Sequence, residues 1–323
     1  MEDDMVNTVR IPAWQVSPAQ PMSFGATMDL GASRRGAAGG PLALRGAGLL
    51  AALGQGAVDR GDVTPAEVLA VAGADRGHAA HSLPVIAGWV QAVRAQAVAI
   101  LAEGGMPVLL GGDHSLPMGS VAAAADHAAR LSRPLFVLWM DAHGDFNTPA
   151  TSGTGNVHGM SLAALCGEPG LGAVWGEDAP ALVEPSRVMV LGARDLDAEE
   201  AALMASRGVQ AVSVTAMRRD GMAALAGFLD RVAAEDGLLH VSFDIDVVDP
   251  AHAPGTGTPV AGGLEPSEAA EALSMVSASG RMLSLDIVEV NPALDQQHRT
   301  ARLTVGLMRY LFGTSMDWLR QAA

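Results

Sequence analysis

The sequence predicts an α/β protein in which a mostly parallel sheet is covered by helices on both faces, giving three αβα layers. Three observations lead there. Short apolar runs recur along the chain, each closed by a turn rich in Gly, Asp or Asn and followed by an Ala/Leu-rich stretch with helical spacing. The runs are mostly apolar, as strands buried on both faces are. Of the 323 residues 49% are hydrophobic and 17% charged, a balance that supports a large folded core and excludes a disordered chain.

In chain order, Met22–Ala26 is the first expected strand. The Gly/Ala/Arg-rich stretch 31–48, with Gly39, Gly40 and Pro41 ahead of an apolar segment, reads as a loop feeding a helix amino end. Residues 54–82 carry Gly, Asp, Pro and two histidines without a period, and read as an exposed insertion or a rim of the site. Further strands are expected at Pro107–Leu110, Leu135–Met140, Val188–Leu191, Val209–Val214, Leu239–Ile245 and Met282–Val288. Covering helices are expected at 85–103, 222–235, 266–278 and 300–320. No compositional break or repeat divides the chain, so residues 1–323 read as a single domain, with 1–10 as a frayed tail.

The formal charge of −15 argues against nucleic acid and anionic membrane as partners, and suits a cationic substrate or metal ions. No run of 18 or more apolar residues is free of charge, Gly or Pro. Glu2, Asp3 and Asp4 stand where a secretory signal carries cations, so the expected compartment is the cytoplasm. The single cysteine, Cys166, has no partner for an intramolecular disulfide and lies in an apolar segment read as buried helix.

Four segments place acids and histidines at or just beyond the carboxyl ends of expected strands: Gly111-Gly112-Asp113-His114-Ser115, Asp141-Ala142-His143-Gly144-Asp145, Asp244-Ile245-Asp246, and Glu289 in Asp286-Ile287-Val288-Glu289. Open parallel sheets bind ligands outside those ends. Asp141, His143 and Asp145 at i, i+2, i+4, and Asp244 and Asp246 at i, i+2, point each set to one side of extended backbone. Four carboxylates and two imidazoles form a mixed O/N set that suits borderline-hard divalent ions such as manganese, not a cysteine-rich zinc site. Two ions neutralise the four carboxylates, where one would leave two negative charges. Asp113 and Asp249 read as caps of strand-end turns and are left out of the ligand set.

Together with Ser242 to Pro250, Gly255 to Leu264 and Asp286 to Pro292, these segments resemble, in order from about residue 22 to 310, the arginase/agmatinase family of ureohydrolases. The resemblance implies a sheet of about eight strands and two Mn²⁺ per subunit. His114 and Asp145 would sit on one ion, His143 and Asp246 on the other, with Asp141 and Asp244 bridging. It implies hydrolysis of a guanidinium group to urea by a hydroxide shared between two ions roughly 3.5–4 Å apart. Glu289 would receive the guanidinium, Asp145 would protonate the leaving amine, and His158 would shuttle protons to solvent.

The loop Asn147 to Gly159 resembles the one that rings an α-carboxylate in arginine-specific members, which assigns substrate contacts to Asn147, Ser152, Thr154 and Asn156. In Gly192 to Glu200 the resemblance gives Asp197 to the α-amino group, while Asp195 reads as the cap of the following helix. Thr258 is a further expected substrate contact. L-Arginine hydrolysis to L-ornithine and urea is thus the expected reaction, by a homo-oligomer, trimer or hexamer. The competing readings are another ureohydrolase, acting on agmatine or guanidinobutyrate, and a non-catalytic metal-binding relative. His78, His81, His127, His240, His252 and His298 read as structural or surface residues, with His240 buried in a strand.

Overall fold

The computed structural model describes residues 19–65 and 80–314; the expected tail at 1–10, His78 and the end of the 300–320 helix lie outside the described residues. Eight strands are described: β1 (Pro21–Ala26), β2 (Val58–Val63), β3 (Met106–Leu110), β4 (Leu135–Met140), β5 (Val188–Leu191), β6 (Gln210–Val212), β7 (Leu238–Asp244) and β8 (Met282–Val288). They form one sheet in the order β2-β1-β3-β8-β7-β4-β5-β6, and every pairing is parallel. The α-helices of the described residues are α1 (Gly40–Gly46), α2 (Leu49–Ala52), α3 (Leu83–Ala102), α4 (Pro117–Arg130), α5 (Ser161–Leu165), α6 (Ala198–Arg207), α7 (Val214–Asp220), α8 (Ala223–Ala234), α9 (Pro266–Ser279) and α10 (Arg299–Leu311).

Alternate residues of each central strand point to opposite faces, and each face has its own core. Val108, Leu110, Leu138, Met140, Val241 and Phe243 pack with side chains of α1, α2 and α7 to α10. Leu109, Val137, Trp139 and Val190 pack with those of α3 to α6. The three layers are therefore those expected. By length and composition alone α3 could cross a membrane, yet its Ile86, Val90, Val93, Ala97 and Ile100 are buried in this second core.

The eighth strand is β2, which the sequence pattern does not announce. Its residues Val58 to Val63 are exposed along nearly their whole length and pair only with β1 at the sheet edge, so they need no apolar side chains. The charges of Asp59, Arg60 and Asp62 suit an edge that must not recruit another strand. The expected strand Val209–Val214 is shorter because Ser213 caps α7, its hydroxyl accepting from the Ala216 amide, and Val214 already belongs to the helix.

The order of strands explains where chemistry can collect. β3 and β4 follow one another in sequence, but β8 and β7 lie between them in the sheet. Because all four run the same way, the turns after β3, β8, β7 and β4 meet above one edge.

Candidate metal centre and cleft

All six expected metal-ligating residues come together over that edge. The ring Nδ1 of His114, after β3, lies 2.9 Å from Asp141, 3.1 Å from Asp145 and 3.2 Å from Asp244. The Nδ1 of His143, after β4, lies 3.2 Å from Asp141 and 3.1 Å from Asp246. Two groups able to hold a cation result, His114/Asp141/Asp244 and Asp141/His143/Asp246. Asp141 is common to both; Asp244, the other expected bridge, stands with the His114 group.

The backbone around these residues is tightly specified. Asp141 Oδ1 accepts from the His143 amide at 2.7 Å, Asp244 Oδ1 from the Asp246 amide at 2.8 Å, and Asp246 Oδ1 from the Ala142 amide at 3.1 Å. Each acid thus spends an oxygen on fixing a neighbouring turn. The His114 ring stacks on Trp139 at 4.1 Å, and the Trp139 indole N–H donates to Asp141 Oδ2 at 3.0 Å. Asp145 and Glu289 adopt φ of +50° and +60°, a left-handed conformation unusual for non-glycine residues and costing of the order of 1–3 kcal/mol each.

The electrostatics of the cluster suit cations. Burial, with the charges of Asp246 and Asp141 behind it, holds the Asp244 carboxyl well above the usual range. Burial and the Asp141 charge push Asp145 up to about 6. Burial alone would lower His114, but the carboxylates of Asp141 and Asp145 close to its Nδ1 keep it well above an ordinary imidazole. Asp141 moves the other way: burial is outweighed by His114 and His143, which hold it well below the carboxylate range. Two atoms aimed into the cluster, His114 Nδ1 and Asp145 Oδ2, are buried without a properly directed hydrogen bond. Short contacts, orphaned lone pairs and an O/N donor set fit divalent ions, whose charge would reverse the crowding of the acids.

Above the cluster opens a cleft of about 390 Å³ lined by His143, His158, Glu289, Thr258, Thr154, Asn156 and Asp195, with Ser33 and Arg34 on its rim. His158 Nδ1 lies 3.1 Å from Glu289 Oε1, which also accepts from the His114 amide at 3.0 Å. Burial opposes a proton on His158, but the hydrogen bond and charge of Glu289 win and raise it to about 9. Thr258 donates to Asp246 Oδ2 at 3.1 Å. Asn156 and Ser33 hydrogen-bond to each other.

Three expected substrate contacts are placed differently. Asn147 is nearly buried, donating to Asp197 at 3.0 Å and accepting from Thr151 at 2.9 Å. Ser152 turns inward to accept from the Gly155 amide at 3.0 Å. Asp197, not Asp195, occupies the N-cap of α6, its amide donating to Glu200 at 3.2 Å. The capping role expected of Asp195 is corrected accordingly: its carboxylate is exposed in the cleft, 3.9 Å from His143 Nε2. Asp113 and Asp249 do cap turns, Asp113 accepting from Gly31 and Ser115, Asp249 from Ala251, Gly262 and Gly263.

Sequence reasoning passed over Trp139, inside an apolar run, and the rim residues Ser33 and Arg34, inside a loop without pattern. It also missed Arg194, whose half-buried guanidinium donates to the carbonyls of Asp246, Val247 and Val260 and so fastens the cleft loop to the end of β7. Cys166 follows α5 and is not among the residues lining the cleft, and burial pushes its thiol up to about 12.

A sequence model of the arginase family matches residues 20–313. The chain belongs to the arginase family. It is 40% identical over 294 residues to the arginase of Agrobacterium fabrum, covering 90% of both chains. The crystal structure of the Bacillus caldovelox arginase superposes with a TM-score of 0.84 at 35% identity, covering 92% of this chain and 99% of that one. The Bacillus cereus arginase gives 0.83 at 36% identity with the same coverage. The protein is thus a family hydrolase acting on amidine C–N bonds; the family implies a binuclear metal site, and the paired ligand groups are candidates for it.

Proposed function

We propose that the protein hydrolyses L-arginine to L-ornithine and urea with two Mn²⁺ as resident ions. The observation that carries this reading is the pair of ligand groups sharing Asp141 at the floor of a cleft whose wall bears Glu289 and whose mouth bears hydroxyl, amide and carboxylate groups. His114, Asp141, Asp145 and Asp244 would hold one ion, Asp141, His143 and Asp246 the other. When bound, such ions lower the pKa of water enough to supply a nucleophile at neutral pH.

The remaining roles fall to side chains. Glu289 Oε1 is held by His158 and the His114 amide, and its Oε2 has no hydrogen-bond partner among the described residues. Oε2 is therefore available to take the guanidinium by charge-assisted hydrogen bonds and fix its plane. His158, protonated on the Glu289 side and bordering the cleft, is placed to bring protons in from solvent, and Asp145 to pass one to the leaving amine. Thr154, Asn156 and Asp195 would read the α-amino-acid end.

A second reading rests on Asn147: its amide is committed to Asp197 and Thr151, which favours a guanidine lacking the α-carboxylate, such as agmatine. Steady-state turnover of arginine, agmatine and guanidinobutyrate after Mn²⁺ loading separates the two. Arginine is expected to have the highest kcat/KM; equal or better agmatine turnover reverses the assignment, and absence of urea from every guanidine removes the catalytic reading.

A further inference from the structure

Beneath the His114 side of the centre, a column of polar side chains runs down the sheet where an apolar core is expected. On β7, His240, Ser242 and Asp244 share one face, opposite Ser284, Asp286 and Val288 on β8. His240, Ser242 and Asp286 are fully buried, Ser284 nearly so. His240 Nδ1 lies 2.8 Å from Ser284 Oγ, and its Nε2 2.8 Å from Asp286 Oδ2. One rung up, Ser242 Oγ lies 2.8 Å from His114 Nε2. Asp286 Oδ1, on the residue paired with Ser242, is buried with no hydrogen bond.

One requirement orders every proton in this column. For His114 Nδ1 to offer a lone pair to a cation, its Nε2 must carry the hydrogen and donate it to Ser242 Oγ. The Ser242 hydroxyl then has a proton to place, and the orphaned acceptor at its own register position is Asp286 Oδ1. His240 Nε2–H donates to Asp286 Oδ2, and its Nδ1 accepts from Ser284. Of these contacts, the one from Ser242 to Asp286 Oδ1 is not formed in the structure and is part of the inference.

We infer that Asp286, held by His240 and Ser284, is a positioning residue that acts through Ser242 to fix the tautomer and raise the basicity of His114, and so sets the affinity for the ion on that side of the centre. A carboxylate behind a ligating imidazole has that effect, and losing one typically weakens metal binding by about 10–100-fold. A merely structural pair behaves otherwise, because replacing a buried ionisable pair by apolar residues of similar volume is commonly neutral for stability. The inference rests on the metal centre, not on which guanidine is the substrate.

The test is calorimetric titration of the metal-free full-length protein with Mn²⁺, on the unmodified chain, on Asp286→Asn, and on His240→Leu/Ser284→Ala/Asp286→Val, which leaves no buried group unpaired within the pair. The expected result is two ions on the unmodified protein and, in both variants, one ion at unmodified affinity with the other weakened about 10–100-fold. Both ions at unmodified affinity in the apolar variant overturn the inference, as does equal weakening of the two, which marks general damage. If Asp286→Asn does not fold, the apolar variant decides; failure of both to fold makes the column structural and overturns the inference too. An unmodified protein that binds no Mn²⁺ overturns the metal centre itself, an outcome distinct from the others.

Discussion

The Asn147 side-chain amide donates to the Asp197 carboxylate at 3.0 Å, tying the loop after β4 to the first turn of α6. The resemblance gave these residues to opposite ends of the substrate, the α-carboxylate and the α-amino group. Their contact makes them one unit, so a ligand reaching either must act on both.

Asp197→Ala is accordingly expected to raise the KM for arginine by about 10-fold or more with metal content intact, acting through the loop that Asn147 ties to it, since a small displacement of positioning groups can cost up to about 100-fold. Combined with Asn147→Ala, the effects should be non-additive by about 0.5 kcal/mol or more, as for residues in direct contact. Additive KM changes in a double-mutant cycle would show that each meets the substrate independently.

Asp141 alone belongs to both ligand groups, and its Oδ2 also takes the Trp139 indole N–H. Asp141→Asn should therefore lower bound Mn²⁺ from two per chain to one or fewer and reduce kcat by at least about 100-fold, measured by elemental analysis beside urea release. Asp246→Asn should disturb the His143 ion first. Two ions at full occupancy in Asp141→Asn would refute a shared ligand.

His158 supplies a pH dependence whose sign is fixed. Its proton is held to about 9 in the folded chain, above the ordinary value near 6.5, by Glu289 against the opposing effect of burial. The stabilisation is full below about pH 6.5 and is lost as pH rises to about 9, amounting to no more than about 3 kcal/mol. Denaturant midpoints of the metal-free protein should fall across that window relative to His158→Gln. A constant difference between the two from pH 6 to 10 would remove the Glu289 pairing.

How much of this was readable in the residues follows from what each had to do. The acids and histidines of the candidate centre were legible because they stand at the ends of apolar strand runs, so the polarity change itself marks the turn. Strand β2 was not, because an exposed edge strand pairs through its backbone and needs no apolar side chains. The exchange of roles between Asp195 and Asp197 was equally hidden: both precede α6, and only the turn decides which one caps it. Trp139 reads as core in sequence and is core, yet its ring face and N–H serve His114 and Asp141.

The Gly111-Gly112 pair has a steric explanation that sets a stability test. A Cβ on Gly112 would lie 1.7 Å from the Met28 carbonyl oxygen, a backbone atom that cannot turn aside. Gly112→Ala is expected to destabilise the fold by about 3 kcal/mol or more, seen as a lower urea midpoint, with metal lost in parallel because His114 is two residues away. Unchanged stability would mean that the β1 loop yields freely.

The left-handed backbones of Asp145 and Glu289 bear on how this protein can be altered. A glycine at either position would relieve the backbone but delete the carboxylate, so the most accessible local gains in heat tolerance are closed at those two positions. Directed evolution for thermal endurance should then leave both untouched and accumulate its changes at the periphery, where the edge formed by Val58 to Val63 offers exposed positions that carry no chemistry.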